Sequence, residues 1–283
     1  MRHPLFTAIL LVLAGVGTAH AQTATGTQDD TDKKKNELDR VVVTGTRTPK
    51  DVDKIPGAIT LVSQTELQQS QAVTQDATAV LAKNVPGYAE SSQAMSNTGE
   101  TLRGRIPLRL FDGVPQGSPL REGTRNGTFT DLGIIGRIEV INGPSASEGI
   151  GATGGVINYI SMTPTQKGSQ TTLTARYFTQ FHDDSAGYKL GITYGLKQDS
   201  YDLLLGASYI DRGISYDANG RRIGMNTSGS LADSRSRNIY LKGGFNFGAN
   251  NDQRLQAIYS HFFIGGKGDY VQVLGCRGPD DFP

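Results

Sequence analysis

The pattern in this chain that most invites a chemical reading is Gly149-x-Gly151-x-x-Gly154, the spacing of a dinucleotide-binding turn. Such a turn works when a helix N-terminus follows it and meets the pyrophosphate. Here Val156-Ile157-Asn158-Tyr159-Ile160 follows, which reads as a strand, and no Walker-type lysine accompanies it, so nucleotide binding is rejected. Of four histidines, His3 and His20 precede a cleavage site, while His182 and His261 lie far apart. No serine sits in a nucleophile elbow, no His/Cys cluster has metal-ligand spacing, and the acidic residues form no pair. The residues therefore predict neither an enzyme nor a bound cofactor or metal. Cys276 is the single cysteine. It reads as a loop thiol, or as half of a pair whose partner lies outside this sequence.

Two patterns suit recognition better than catalysis. Asp39-Arg40-Val41-Val42-Val43-Thr44-Gly45 is a β-branched burst at the end of a polar tail. A segment of this kind can add itself as a strand to a partner's sheet edge, or be an ordinary edge strand of the domain that follows. The arginines Arg103, Arg105, Arg109, Arg121, Arg125 and Arg137 crowd the middle of the chain. They read either as a solvated face or as groups that meet carboxylates on an enclosing wall.

The elements that must position these residues begin after an export leader. Arg2 gives a positive start, residues 5–16 form an apolar core of 12 residues, and Ala19-His20-Ala21 matches a small-x-small cleavage site. An apolar run of this length falls short of the roughly 20 residues needed to cross a bilayer as a helix. Arg2 leaves with the leader, so the 28 basic and 27 acidic residues become balanced, which gives no reason to invoke nucleic acid. Residues 22–37 are polar and predicted to be disordered. From residue 52 to 165 the pattern is α+β. It predicts a strand over 58–62, a helix opened by the capping box Ser63-Gln64-Thr65-Glu66, and a second helix over 74–83 ended by Pro86-Gly87. Strands are predicted over 108–111, closed by the turn Asp112-Gly113, and over 137–141 and 156–161.

Beyond residue 165 the period changes to two. Leu173, Ala175 and Tyr177 begin the series, followed by Tyr188, Leu190, Ile192, Tyr194 and Leu196. Tyr201, Leu203, Leu205, Ala207 and Tyr209 repeat it, then Ile239, Leu241, Gly243, Phe245 and Phe247, and last Leu255, Ala257 and Tyr259. Segments of about ten residues with one apolar face and aromatics near the ends are what a transmembrane barrel requires, although a soluble sandwich also alternates. The turn Gln198-Asp199-Ser200 would face the periplasm, and residues 212–238 would form an external loop.

Taken in order, these segments resemble the TonB-dependent receptor family over residues 38–165. Residues 39–45 resemble the TonB box, and Ile55-Pro56-Gly57 with the following strand resembles the opening of the plug domain. Leu81 with Val85-Pro86-Gly87-Tyr88, then Leu102-Arg103-Gly104, then Asp112-Gly113-Val114-Pro115 resemble successive plug signatures. The most specific stretch runs from Ile138-Glu139-Val140-Ile141-Asn142-Gly143-Pro144 to Gly154-Gly155-Val156-Ile157-Asn158, with Asn142 where the family usually has arginine.

The resemblance implies a plug domain (a small mixed sheet with short helices) followed by antiparallel strands of an incomplete transmembrane β-barrel. The domains would be a leader over 1–21, a tail with TonB box over 22–51, the plug over 52–165, and the first part of the barrel over 166–283. It implies energy-coupled uptake of a scarce ligand, foremost a ferric siderophore, in the outer membrane, with the TonB C-terminal domain and membrane lipid as partners. Arg40, Val41, Val42, Val43 and Thr44 would meet TonB. Arg103, Arg137 and Asn142 would contact the barrel, and Ser91, Ser92, Gln93, Gln116, Arg121 and Arg125 the ligand. Five strands cannot close a barrel, and an open edge in lipid leaves backbone groups unpaired. The sequence alone thus predicts a fragment or a truncated gene product, with an exported, non-transporting decoy module as the alternative.

Overall fold

The computed structural model describes residues 58–90, 99–116, 131–144, 151–223, 231–248 and 252–267, together with the backbone of two short strands, β1 (Val42–Val43) and β2 (Lys50–Asp51). These strands pair antiparallel, Val42 opposite Asp51 and Val43 opposite Lys50. All described residues fall in one compact unit, Val41–Pro283. The leader, residues 145–150 within the glycine-rich loop, and Cys276 lie outside the described residues.

The first domain opens with β3 (Ala58–Val62) and α1 (Gln64–Gln71). The capping box is formed: Ser63 N–H donates to Glu66 Oε2 at 2.7 Å, and Glu66 N–H donates back to Ser63 Oγ at 3.4 Å. The Ser63 N–H and the Ser63 hydroxyl, which both donate to the carboxylate at 2.7 Å, hold the Glu66 carboxyl below its ordinary pKa. A depressed carboxyl stabilises the fold above its unfolded pKa and loses that contribution as pH falls through the folded one. Ser63→Ala should therefore cost about 1 kcal/mol at neutral pH. In thermal melts the gap between variant and parent should narrow on acidification.

Helix α2 spans Ala77–Asn84 rather than starting at Thr74. The reason is Asp76, which takes the N-cap: its carboxylate accepts from Thr78 N–H at 3.0 Å and Thr78 Oγ1 at 2.7 Å. Strands β4 (Tyr88–Ala89) and β5 (Thr101–Leu102) form a small hairpin. Then come β6 (Leu108–Phe111) and β7 (Val114–Pro115), joined by Asp112 (φ 46) and Gly113 (φ 80). Two positive φ values in a two-residue connection give the tight hairpin turn that Asp-Gly favours. A 3₁₀ turn over Leu132–Ile134 leads into β8 (Ile135–Asn142), and β9 (Gly155–Ser161) ends the domain.

The sheet order is β3-β8-β9-β6-β7, antiparallel except for the β6/β9 pair. Strands β6 and β9 are buried along their whole length because apolar groups cover both faces. One side packs Val62, Leu67, Val80, Leu81 and Ile138; the other packs Leu108, Leu110, Ile141 and Val156.

The second sheet contains β10 (Gly168–Phe178), β11 (Gly187–Lys197) and β12 (Tyr201–Arg212). A small hairpin of β13 (Ser215–Tyr216) and β14 (Arg222–Ile223) projects from the connection to β15 (Ser234–Phe247), and β16 (Gln253–Gly266) completes it. Its order, β10-β11-β12-β15-β16, is antiparallel throughout, and the sheet is not closed. Strand β15 starts at Ser234, four residues before the predicted end of the long loop, because Ser234 pairs with Arg212. No described helix is long and apolar enough to cross a membrane, which says nothing of strands.

Candidate functional site, the seam between the sheets

The alternation in the second sheet sorts its side chains by chemistry. On the face turned from the first domain, Tyr188, Leu190, Ile192, Tyr201, Leu205, Ile239, Leu241 and Phe245 are all exposed. On the other face Lys189, Asp202, Leu204, Ser236, Asn238, Tyr240 and Lys242 are buried. This inverts a soluble sandwich, whose polar residues face water. It matches a barrel wall with a lipid-facing band and a polar interior.

The first domain sits against that polar face through side chains from both sheets. The turn aspartate is the centre of the larger cluster. Asp112 accepts from Ser161 N–H (2.9 Å) and Ser161 Oγ (2.6 Å) within the domain, and from Tyr240 Oη (2.9 Å) across the seam. Lys242 Nζ donates to Ser161 Oγ at 2.9 Å and Thr163 Oγ1 at 3.2 Å, and stands 3.9 Å from Asp112. The Tyr240 ring, 1 % exposed, meets Phe111 edge-on at 5.5 Å. Asn158 on β9 braces the turn by accepting from Gly113 N–H at 3.1 Å.

A second cluster lies over β11. Lys189 Nζ donates to Asp131 Oδ1 at 2.6 Å and to Gln75 Oε1 at 3.1 Å, and Lys189 is 1 % exposed. Gly133 is required beside it, since a Cβ there would lie 2.8 Å from Asp131 Oδ2. Between the clusters the contact is apolar and close: a Cβ on Gly206 would lie 2.6 Å from Ile134 Cγ2. Arg176 on β10 donates to the Gln71 carbonyl.

Inside the first domain, Glu100 pairs with Arg109 and accepts from Tyr88 Oη at 2.7 Å, all three buried. Burial lowers the Arg109 pKa and raises that of Tyr88; it also pushes the nearby Tyr159 phenol up to about 12. Such a cluster holds β5, β6 and the 88–102 hairpin together, and it offers no reactive group. Among the described residues no group of three His, Cys, Asp or Glu could hold a metal.

The residues singled out from sequence fall in several places. Val42 and Val43 lie in β1; Arg40, Val41, Thr44, Ser91, Ser92, Gln93, Arg121 and Arg125 lie outside the described residues. Arg103 is exposed at a positive φ of 53. Arg137 Nε pairs with the fully buried Glu139 at 2.8 Å, and Asn142 Nδ2 donates to Thr60 Oγ1 at 3.4 Å. Gln116 N–H donates to the Arg109 carbonyl at 3.0 Å. The tight glycine turn ends as expected in a strand. A Cβ on Gly154 would lie 2.6 Å from the Arg105 carbonyl oxygen, so this glycine serves close backbone approach rather than a phosphate.

This arrangement, a small mixed sheet seated by polar contacts on the polar side of an unclosed antiparallel sheet, is that of a receptor plug with part of its barrel. Residues 51–156 match the TonB-dependent receptor plug domain, and the chain as a whole is similar to siderophore and hemin receptors. It is 26 % identical over 275 residues to a rhizobactin receptor of Rhizobium meliloti (strain 1021), covering 94 % of this chain and 36 % of that protein. A hemin receptor of Yersinia enterocolitica is 34 % identical over 154 residues, covering 53 % and 22 %. The pyoverdine outer membrane receptor of Pseudomonas aeruginosa PAO1, solved with pyoverdine bound, superposes with a TM-score of 0.56 at 18 % identity, covering 78 % and 30 %. The chain thus spans about a third or less of the length of these relatives.

Proposed function

We propose that this chain supplies the plug and the first wall strands of an outer-membrane receptor that takes up an iron chelate by energy coupling to TonB, with a ferric siderophore as the first candidate. The observation that carries this reading is the seam: a plug held by buried polar contacts to a wall whose opposite face is apolar. The relatives named for rhizobactin, hemin and pyoverdine support an iron chelate. The leader over 1–21 would export the chain. Arg40, Val41, Val42, Val43 and Thr44 would join the sheet edge of the TonB C-terminal domain, which the strand pairing of Val42 and Val43 supports. Ser91, Ser92, Gln93, Gln116, Arg121 and Arg125 would face the chelate. Arg103, Arg137 and Asn142 would meet the wall, a role supported by the exposure of Arg103 and by Asn142 Oδ1, which is buried without a hydrogen-bond partner.

The test is a pull-down with the TonB C-terminal domain beside radio-iron uptake in receptor-deficient cells. Val42→Pro removes a backbone donor and should abolish both capture and uptake, whereas Val42→Thr should keep them. Normal capture by Val42→Pro would overturn the TonB assignment, and uptake unaffected by expression of a complete receptor that carries this plug and these wall strands would overturn transport.

A further inference from the structure

The rim of the wall nearest the long connections carries charge on the face that should meet lipid. Arg237 is exposed there, two residues from the exposed Ile239 of the apolar band. Register places it directly between Tyr209 and Phe263, and its guanidinium lies over the Tyr209 ring at 6.0 Å. Tyr188 extends the aromatic row, 5.8 Å from Tyr209. One register step nearer the loops, Arg235 pairs with Asp211 at 3.0 Å while its side chain stays 53 % exposed. Lys267 donates to the other Asp211 oxygen at 2.8 Å and stands 3.7 Å from Asp233. Three cations therefore face two carboxylates. The carboxylates are engaged by Arg235 and Lys267, and among the described residues none pairs with Arg237.

A guanidinium on the lipid side of a strand costs little at the interface and several times more toward the midplane. Its fixed fork suits bidentate contact with a phosphate, and a ring beneath it limits where it can swing. Tyrosines at the same level mark the headgroup layer.

On these grounds, and resting on the outer-membrane barrel reading above, we propose that Arg237, with Arg235 beside it and Tyr209 beneath it, forms a binding site for the phosphate of an anionic lipid headgroup in the outer leaflet. The lipid supplies the missing counter-charge. The site anchors the first wall strands at a fixed depth.

The test uses protein extracted from outer membranes into neutral detergent. Bound lipid is counted by native mass spectrometry while phosphatidylglycerol, phosphatidylcholine or inorganic phosphate is added. Phosphatidylglycerol should bind the parent protein in preference to phosphatidylcholine. Its binding should weaken about fivefold in Arg237→Gln, the factor set by one arginine near an anionic surface, and persist in Arg237→Lys. Equal retention by Arg237→Gln, or indifference between the two lipids, would overturn the site. Competition by inorganic phosphate as strong as by phosphatidylglycerol would also overturn it, leaving a simple anion site. Leu241→Arg, placed in the middle of the same face, should fail to reach the outer membrane. If that variant inserts like the parent, the lipid-facing assignment of the wall is wrong and this site falls with it.

Discussion

Asp112→Ala is expected to loosen the plug in its wall by about 3–5 kcal/mol, the range for removing one partner of a buried charge pair. The loss arises on both sides of the seam. Lys242 Nζ, 3.9 Å away and nearly buried, loses the carboxylate that faces it across the seam. The Ser161 and Tyr240 hydroxyls lose an acceptor that each reaches within 2.9 Å. Alanine also fits badly at φ 46, where aspartate and asparagine are among the few side chains tolerated. Asp112→Asn keeps that conformation and one acceptor oxygen, so it should cost clearly less. Thermal unfolding with limited proteolysis of the plug would separate the two. An alanine variant as protease-resistant as the parent would show that Asp112 does not hold the seam.

The second large effect should come from Lys189→Met. It strands the Asp131 carboxylate, which is 6 % exposed, with a cost of about 3–5 kcal/mol. Adding Asp131→Leu should recover a large part of this loss, because replacing both partners of a buried pair by apolar groups is often neutral. The sign of that second step is the informative quantity. If the double variant is less stable than Lys189→Met alone, Asp131 contributes through the 3₁₀ turn it precedes rather than through the lysine.

Much of the fold was legible because its signals are local. The capping box of Ser63 and Glu66 lies within four residues, Asp112-Gly113 announces a tight turn by itself, and the period-two runs identify the outward face of each wall strand. The start of α2 was misplaced because Thr74 and Asp76 both suit a cap, and only the bond to Thr78 decides between them. The seam was far less legible. Tyr240 meets Asp112 across 128 positions and Lys189 meets Asp131 across 58, so no spacing rule connects them. One signal was present in the sequence: Lys189 and Lys242 stand at inward positions of otherwise small or polar runs, where a barrel interior needs a partner for each charge. The arginine cluster likewise hid Arg109, whose partner Glu100 lies inside the plug and not on the wall.

The seam has a consequence for how such receptors can be recombined. Arg176 and Lys189 stand side by side in one register row of the wall, and Gly206 and Tyr240 in another, with three residues of β11 between the rows. Contacts in two rows over four neighbouring strands resist rotation as well as sliding, so each plug residue is indexed to a particular strand. Those strands come directly after the plug in the chain. Plug and first wall strands therefore form a cassette: a chimaera joined beyond Gly266 would inherit all of these contacts intact, whereas exchanging the plug alone would leave Lys189 and Lys242 facing foreign partners.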